Sequence, residues 1–335
     1  MSVSPGGDIA ISVRGLVKRF GDYEALKGVD LEVPAGSVVG VLGPNGAGKT
    51  TTVRVLATLL KPDGGQVRVG GHDVSKDPAS VRRAIGLTGQ YAALDEFQGG
   101  RDNLVMIGRL AGLRRRAAHE RAEELLAEFD LVEAAGRPVK GYSGGMRRRL
   151  DLAASLVARP RILFLDEPTT GLDPRSRNVM WDVIRDLVAD GTTLFLTTQY
   201  LEEADQLADQ IVVIDRGRAI AKGTPRELKS ILGGAQLEVV VSAGGDLATA
   251  ALVLGGFGTG PATIDPETRH VQVPVTARAR LATDVVRSLL RSGIELDDCS
   301  VRRPSLDDVF LALTGHSALA QDEPASEDDV VAAAG

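Results

Sequence analysis

Residues Gly43 to Thr50 read GPNGAGKT, which matches the spacing G-x-x-x-x-G-K-[ST]. The match has the required context, with the apolar run VVGVL before it and a helix-forming run after it. Each residue type has a chemical use. Gly43, Gly46 and Gly48 let the backbone curl, so that the N–H groups from Asn45 through Ala47 onward wrap phosphate oxygens, with Pro44, which has no N–H, in the same loop. Lys49 supplies a point charge for β- and γ-phosphates. A helix starting at this point adds its positive dipole end. Thr50 offers a hydroxyl to Mg²⁺, and Thr51 belongs to the same binding set. A second element of the same chemistry lies at Ile162–Asp166, where the apolar run ILFL ends in a carboxylate. Asp166 at the end of a buried strand is placed to hold Mg²⁺ or a water of its shell. Glu167 follows at once, where a carboxylate can orient and deprotonate an attacking water.

These two pieces imply a phosphate-loop NTPase, and the elements around them agree. Strands are expected at 9–13, 38–42, 66–69, 85–88, 162–165, 193–197 and 211–214. Helices are expected at 49–60, 101–111, 117–129, 146–158, 176–188 and 201–208. Such alternation predicts an α/β domain with a largely parallel sheet. Strands buried on both faces explain a solid apolar run such as ILFL. The pattern changes near residue 230. A β-α-β-β-α-β order follows, with strands at 236–242, 261–265, 269–274 and 294–301 and helices at 246–254 and 277–291. That order predicts a small α+β domain of ferredoxin-like type. An amphipathic segment at 305–313 closes it, with Leu306, Val309, Phe310 and Leu313 on one face. The expected organisation is a flexible N-terminus (1–8), an NTPase domain (9–230), the α+β domain (231–316) and a disordered acidic tail (317–335). No catalytic constellation stands out in the second domain, and its His270 has no partner assignable from sequence.

Composition bounds the partners. The chain has 335 residues, 25% of them charged, with a net charge of −6. Asp322, Glu323, Glu327, Asp328 and Asp329 carry most of that charge, so no basic field is present to hold nucleic acid. Apolar stretches last a handful of residues, whereas crossing a bilayer takes about 20. No secretory signal is expected from MSVSPGGDIA. The single cysteine, Cys299, excludes an internal disulfide framework and fits a reducing compartment.

The segment YSGGMRRRLDLAASLV, just before ILFLD, narrows the class. Its Tyr142–Met146 start resembles the LSGGQ signature of the ATP-binding domain of ABC transporters, with Tyr for Leu and Met for Gln. The core Ser143, Gly144 and Gly145 is intact and opens a helix, so its N–H groups can also face a phosphate. The resemblance covers about residues 9–315. It implies a Q-loop role for Gln90 in IGLTGQ, touching Mg²⁺ and the attacking water. It implies a D-loop role for Asp173 in TTGLDP and adenine stacking by Phe20 in VKRFGDYEAL. At the family's switch histidine this chain has Gln199, in TTQYLEEADQLAD. An amide can donate to the γ-phosphate but cannot titrate. This Gln, the stretch TGQYAALDE and the C-terminal RRPSLDDVFLALTG make the chain similar to the ATP-binding subunits of daunorubicin/doxorubicin-resistance drug exporters.

The resemblance implies ATP and Mg²⁺ as ligands, and a second copy of the chain clamping ATP between phosphate loop and signature. It further implies a separate membrane permease, the stretch 91–101 with Tyr91 and Phe97 as the receiving surface, and a peripheral location on the cytoplasmic face of the membrane. The alternative function is a soluble ABC ATPase acting on DNA or ribosomes. Such proteins carry a long coiled coil or tandem cassettes, whereas this chain has one phosphate loop and no heptad insertion between Gln90 and Ser143. A catalytically idle subunit would lack Lys49, Asp166 or Glu167, and all three are present.

Overall fold

In the computed structural model, the apolar runs that end in polar loops fall side by side in one six-stranded sheet. Residues 8–89, 94–231, 234–276, 279–302 and 304–315 are described. They form two compact units, one up to Pro225 and one from Arg226.

The first unit runs β1 (Ile9–Phe20), β2 (Tyr23–Pro34), β3 (Val38–Leu42), α1 (Lys49–Leu56), β4 (Gly64–Val69), β5 (His72–Asp73), α2 (Pro78–Ala84) and β6 (Ile85–Thr88). It continues with α3 (Gly100–Leu110), α4 (Arg115–Glu128), α5 (Gly144–Ser155), β7 (Ile162–Asp166), α6 (Pro174–Ala189), β8 (Thr193–Thr198), α7 (Leu201–Leu207), β9 (Gln210–Asp215) and β10 (Arg218–Gly223). A short α8 (Pro225–Ser230) spans the division.

The main sheet has the order β10-β9-β3-β8-β7-β6, and all its pairs are parallel except β9–β10. Every residue of β3, β7 and β8 is buried. Burying a Val or Leu side chain stabilises by about 1.5–3 kcal/mol, which fixes these strands in the centre. Their register sets the site. Leu42 lies opposite Thr198 and Asp166 opposite Thr197, so the loops after all three strands leave from one edge.

A second sheet, β2-β1-β4-β5, is antiparallel throughout. The expectation of a strand at 9–13 falls short, because β1 runs on to Phe20 through bulges around Gly15, whose φ is 60°. Its partner β2 was not foreseen at all. Two helices also differ from their expected ends. α1 stops at Leu56 rather than 60, where Thr58 turns left-handed with φ 62°. α5 starts at Gly144, two residues before the expected 146, because the Ser143 hydroxyl accepts from Met146 N–H as its cap. The core of this unit gathers Leu16, Leu26, Val53, Phe164 and Phe195 between the sheets and α1.

The second unit contains β11 (Ala235–Val241), α9 (Leu247–Gly255), β12 (Thr263–Asp265), β13 (His270–Val275), α10 (Leu281–Arg291), β14 (Leu296–Arg302) and α11 (Leu306–Thr314). Its sheet order β12-β13-β11-β14, antiparallel at each pair, is the ferredoxin-like arrangement. α10 turns Leu281, Val285 and Leu289 inward at helical spacing. It starts at Leu281 rather than 277, after Arg280 adopts φ 67°. These residues meet Leu237, Val239, Leu254, Val271 and Val273 in a separate core. The expected N-terminal segment up to residue 7 and the acidic tail 317–335 lie outside the described residues.

Candidate functional site

The turn from β3 into α1 is built on glycine. Gly46 and Gly48 have φ of 76° and 109°, which side chains rarely adopt. At Gly43 the constraint is space, since a Cβ there would lie 2.2 Å from the Ile214 carbonyl oxygen. Gly48 caps α1, and Lys49 opens its first turn. The Lys49 ammonium is 4% exposed and donates to the Gly43 and Pro44 carbonyls at 2.8 and 3.2 Å. It also lies 3.5 Å from Glu167 Oε1. Burial lowers the pKa of Lys49, while Glu167 and Asp166 act against that shift.

Across the edge, Asp166 Oδ1 accepts from Thr50 Oγ1 at 3.3 Å and from Thr197 Oγ1 at 2.5 Å. Glu167 has φ 51°, a left-handed conformation that costs a non-glycine residue about 1–2 kcal/mol. Its N–H donates to the Thr197 carbonyl at 3.0 Å, and its Oε2 accepts from Thr170 Oγ1 at 3.4 Å. From this bend the carboxylate reaches toward Lys49.

Lys49, Thr50 and Glu167 share a cleft of about 590 Å³, which Gly43, Ala47, Asp166 and Thr197 do not line. Pro44, Asn45, Gly46, Gly48, Lys49, Thr50, Thr51, Glu167 and Gln199 line it, with Phe20 and Tyr23 at the β1–β2 hairpin. Phe20 is 45% exposed and has the Lys18 ammonium 5.4 Å from its ring centre. Gln199 reaches the cleft because it follows Thr198, which the register places beside Leu42.

The signature residues are elsewhere. Gly144 lines a neighbouring cleft of about 600 Å³, which shares Glu167 and Thr170 with the first. Ser143, Gly145 and Asp173 line neither cleft. Asp173 caps α6, accepting from Ser176 N–H at 2.9 Å and from Ser176 Oγ at 2.7 Å, and these bonds lower its pKa. A Cβ at Gly145 would lie 2.8 Å from Ser176 Oγ, so the Ser176 side chain would have to shift. Tyr142 is buried and donates its hydroxyl to the Ala134 carbonyl at 2.7 Å. Phe97 is 78% exposed, with the Lys140 ammonium over its ring. Gln90 and Tyr91 lie outside the described residues.

Sequence reasoning missed Thr197 and Tyr23. Thr197 carries the signal that exposed Asp166, a polar residue ending an apolar strand. Tyr23 needed the unforeseen β2. In the second unit His270 does have a partner, Glu238 Oε1, 2.6 Å from its Nδ1. Among the described residues no group of three or more His, Cys, Asp or Glu side chains is arranged to hold a metal alone.

A curled glycine loop at a helix start, an ammonium above it and paired carboxylates on the next strand but one define a nucleotide-hydrolysing protein of the phosphate-loop class. The family described as ABC transporter matches residues 26–170. The chain is 57% identical over 308 residues to the daunorubicin resistance ATP-binding protein DrrA3 of Streptomyces coeruleorubidus, covering 92% of this chain and 96% of that one. It is 52% identical over 329 residues to the daunorubicin/doxorubicin resistance ATP-binding protein DrrA of Streptomyces peucetius, covering 96% and 98%. A solved ATP-binding subunit of an ABC transporter superposes with a TM-score of 0.61 at 26% identity, over 67% of this chain and 93% of that one. The chain therefore belongs to the ABC transporter family of ATP-binding proteins, within the daunorubicin/doxorubicin-resistance group.

Proposed function

We propose that the chain is the ATP-hydrolysing subunit of an exporter for a drug, antibiotic or lipid-like metabolite, and that Glu167 is its general base. The observation that carries the reading is the Glu167 carboxylate, 9% exposed and 3.5 Å from Lys49 Nζ in the phosphate-loop cleft. A carboxylate held beside the lysine that grips the β- and γ-phosphates is within reach of a water attacking the γ-phosphorus. The loop N–H groups and Lys49 bind and orient the phosphates. Phe20 stacks on adenine, and Gln199 donates to the γ-phosphate. Thr50 and Asp166, a hydroxyl and a carboxylate 3.3 Å apart, are hard oxygen donors that fit Mg²⁺. When bound, Mg²⁺ offsets charge on the β- and γ-phosphate oxygens. Gln90 enters this scheme on the resemblance alone.

The cargo class is inferred from relatives named for daunorubicin and doxorubicin resistance. Ser143, Gly144 and Gly145 lie off the phosphate-loop cleft, which supports a second copy of the chain bringing its own signature to each ATP. Among the described residues no helix is long and apolar enough to cross a membrane. We accordingly assign the transport path to a separate permease, with this chain peripheral on the cytoplasmic face. No observation favours action on DNA or ribosomes.

Glu167→Gln tests the reading. The amide can hold a water but cannot take its proton, so ATP binding is retained and turnover falls by about 10²–10⁴-fold. ATP then traps a dimer visible by gel filtration, and chelating Mg²⁺ stops turnover in the native protein. Lys49→Ala differs by weakening ATP binding itself. Near-normal hydrolysis by Glu167→Gln removes Glu167 from the role.

A further inference from the structure

The run Arg147–Arg148–Arg149 follows the signature and has three different fates. Arg147 pairs with Glu96 at 2.7 Å, and Arg149 donates to the Phe129 carbonyl at 2.8 Å. Arg148 turns toward the site. Its side chain is 12% exposed, and its guanidinium donates to four backbone carbonyls. Nε reaches Pro168 at 2.7 Å, and Nη1 reaches Gly89 at 2.7 Å. Nη2 reaches Asp166 at 3.1 Å and Glu167 at 2.9 Å. The carboxylate of Asp151, one turn further along α5, stands 3.5 Å from Nη1.

Three of those carbonyls are consecutive, and the middle one belongs to the left-handed Glu167. Three successive carbonyls converge on one donor only when the chain folds tightly around it. A planar fork with five N–H groups is the side chain that can satisfy them together. The Glu167 N–H is meanwhile held by the Thr197 carbonyl. The bend that aims the Glu167 carboxylate is therefore clamped on both sides, by β8 through a backbone bond and by α5 through one arginine.

We infer that Arg148 is a positioning residue for ATP hydrolysis, holding Glu167 in its left-handed bend and tying its aim to the signature helix. The inference rests on the reading of Glu167 as the general base. Arg148 does not line the phosphate-loop cleft, so its effect belongs to the rate of the chemical step and not to ATP affinity.

The test uses the full chain and compares wild type, Arg148→Ala, Arg148→Lys, Glu167→Gln and the double variant Arg148→Ala/Glu167→Gln. Equilibrium ATP binding and single-turnover ATP hydrolysis are measured for each. Misplacing a catalytic group by about 1 Å can cost about 10²-fold. Arg148→Ala is expected to lower the hydrolysis rate about 10–100-fold, with the ATP dissociation constant within about threefold of wild type. Arg148→Lys keeps the charge without the fork and falls between them, which keeps the comparison decisive if the alanine variant folds poorly. In the Glu167→Gln background, Arg148→Ala causes no further fall, because the two side chains act as one unit. A rate for Arg148→Lys and Arg148→Ala equal to wild type overturns the inference. So does a parallel loss of ATP affinity, or a further full-sized fall in the double variant. Should Glu167→Gln itself hydrolyse ATP normally, the general-base reading fails first, and the comparison separates the two failures.

Discussion

Removing the side-chain amide of Gln199 isolates a single hydrogen bond. Thr198 is paired with Leu42 across adjacent parallel strands, so the residues that follow, Gln199 and Gly43, emerge side by side. Gln199 lines the cleft with Lys49 and Glu167. On the proposed reading, a donor there meets phosphate oxygens that carry full negative charge. A hydrogen bond to a charged group contributes about 1.5–3 kcal/mol, which corresponds to about 10–150-fold. Gln199→Ala should therefore lose one to two orders of magnitude in ATP hydrolysis. Gln199→His should keep most of it, since a neutral imidazole still offers one N–H. The histidine also titrates near pH 6.5, gaining positive charge beside the phosphates as pH falls. Its rate should therefore vary between about pH 6 and 8 relative to the parent, whose amide contributes no titration. The assay is steady-state ATP hydrolysis of the three proteins across that range, with the membrane subunit present. An alanine variant as active as the parent would refute the argument and leave Gln199 an ordinary loop residue.

The other expectations concern the walls of the same cleft and the residues behind them. Phe20→Ala should weaken ATP binding by about 1–3 kcal/mol if its ring stacks on the base, with little change in the rate at saturating ATP. Tyr23→Ala tests the neighbouring ring, and an equal loss there would show a shared aromatic wall. Gly43→Ala forces a Cβ to within 2.2 Å of the Ile214 carbonyl, so ATP binding or the thermal unfolding midpoint should drop sharply. A silent substitution there would contradict the close approach of the two strands. Thr197→Val removes the hydroxyl bonded to Asp166 while keeping a β-branched strand residue. Losing a bond to a carboxylate should cost about 1.5–3 kcal/mol in either stability or turnover, read by chemical denaturation and ATP hydrolysis.

The geometry of the loop was legible because it is local. The glycines that allow the curl and Lys49 sit within one strand–loop–helix unit. The parallel strands were legible for a related reason, since burial on both faces leaves uninterrupted apolar runs at β3, β7 and β8. The antiparallel sheet was not, because β1 and β2 mix buried and exposed positions and pass through bulges that blur their alternation. Tyr23 disappeared with it. Interactions that depend on register were also hidden. His270 lies opposite Val240, and its bond runs diagonally to Glu238, whose direct neighbour is Gln272. The left-handed backbone of Glu167 had no sequence signal, because glutamate seldom adopts it. In the second unit the order of elements sufficed, since the elements kept their order and only their ends moved.

The register of β3, β8 and β7 also sets how this protein can change over time. Adjacent strands are about 4.8 Å apart, so the separation of the phosphate loop from the carboxylates is fixed by backbone hydrogen bonding. Side chains at the strand ends, Gln199 among them, can be exchanged without altering that separation. A single-residue insertion within β8 is a different matter. It would turn the side chains beyond it to the opposite face and carry Thr197 away from Asp166. Lineages descending from this sequence can therefore explore new amino acids at the strand tips while the lengths of the three strands stay frozen.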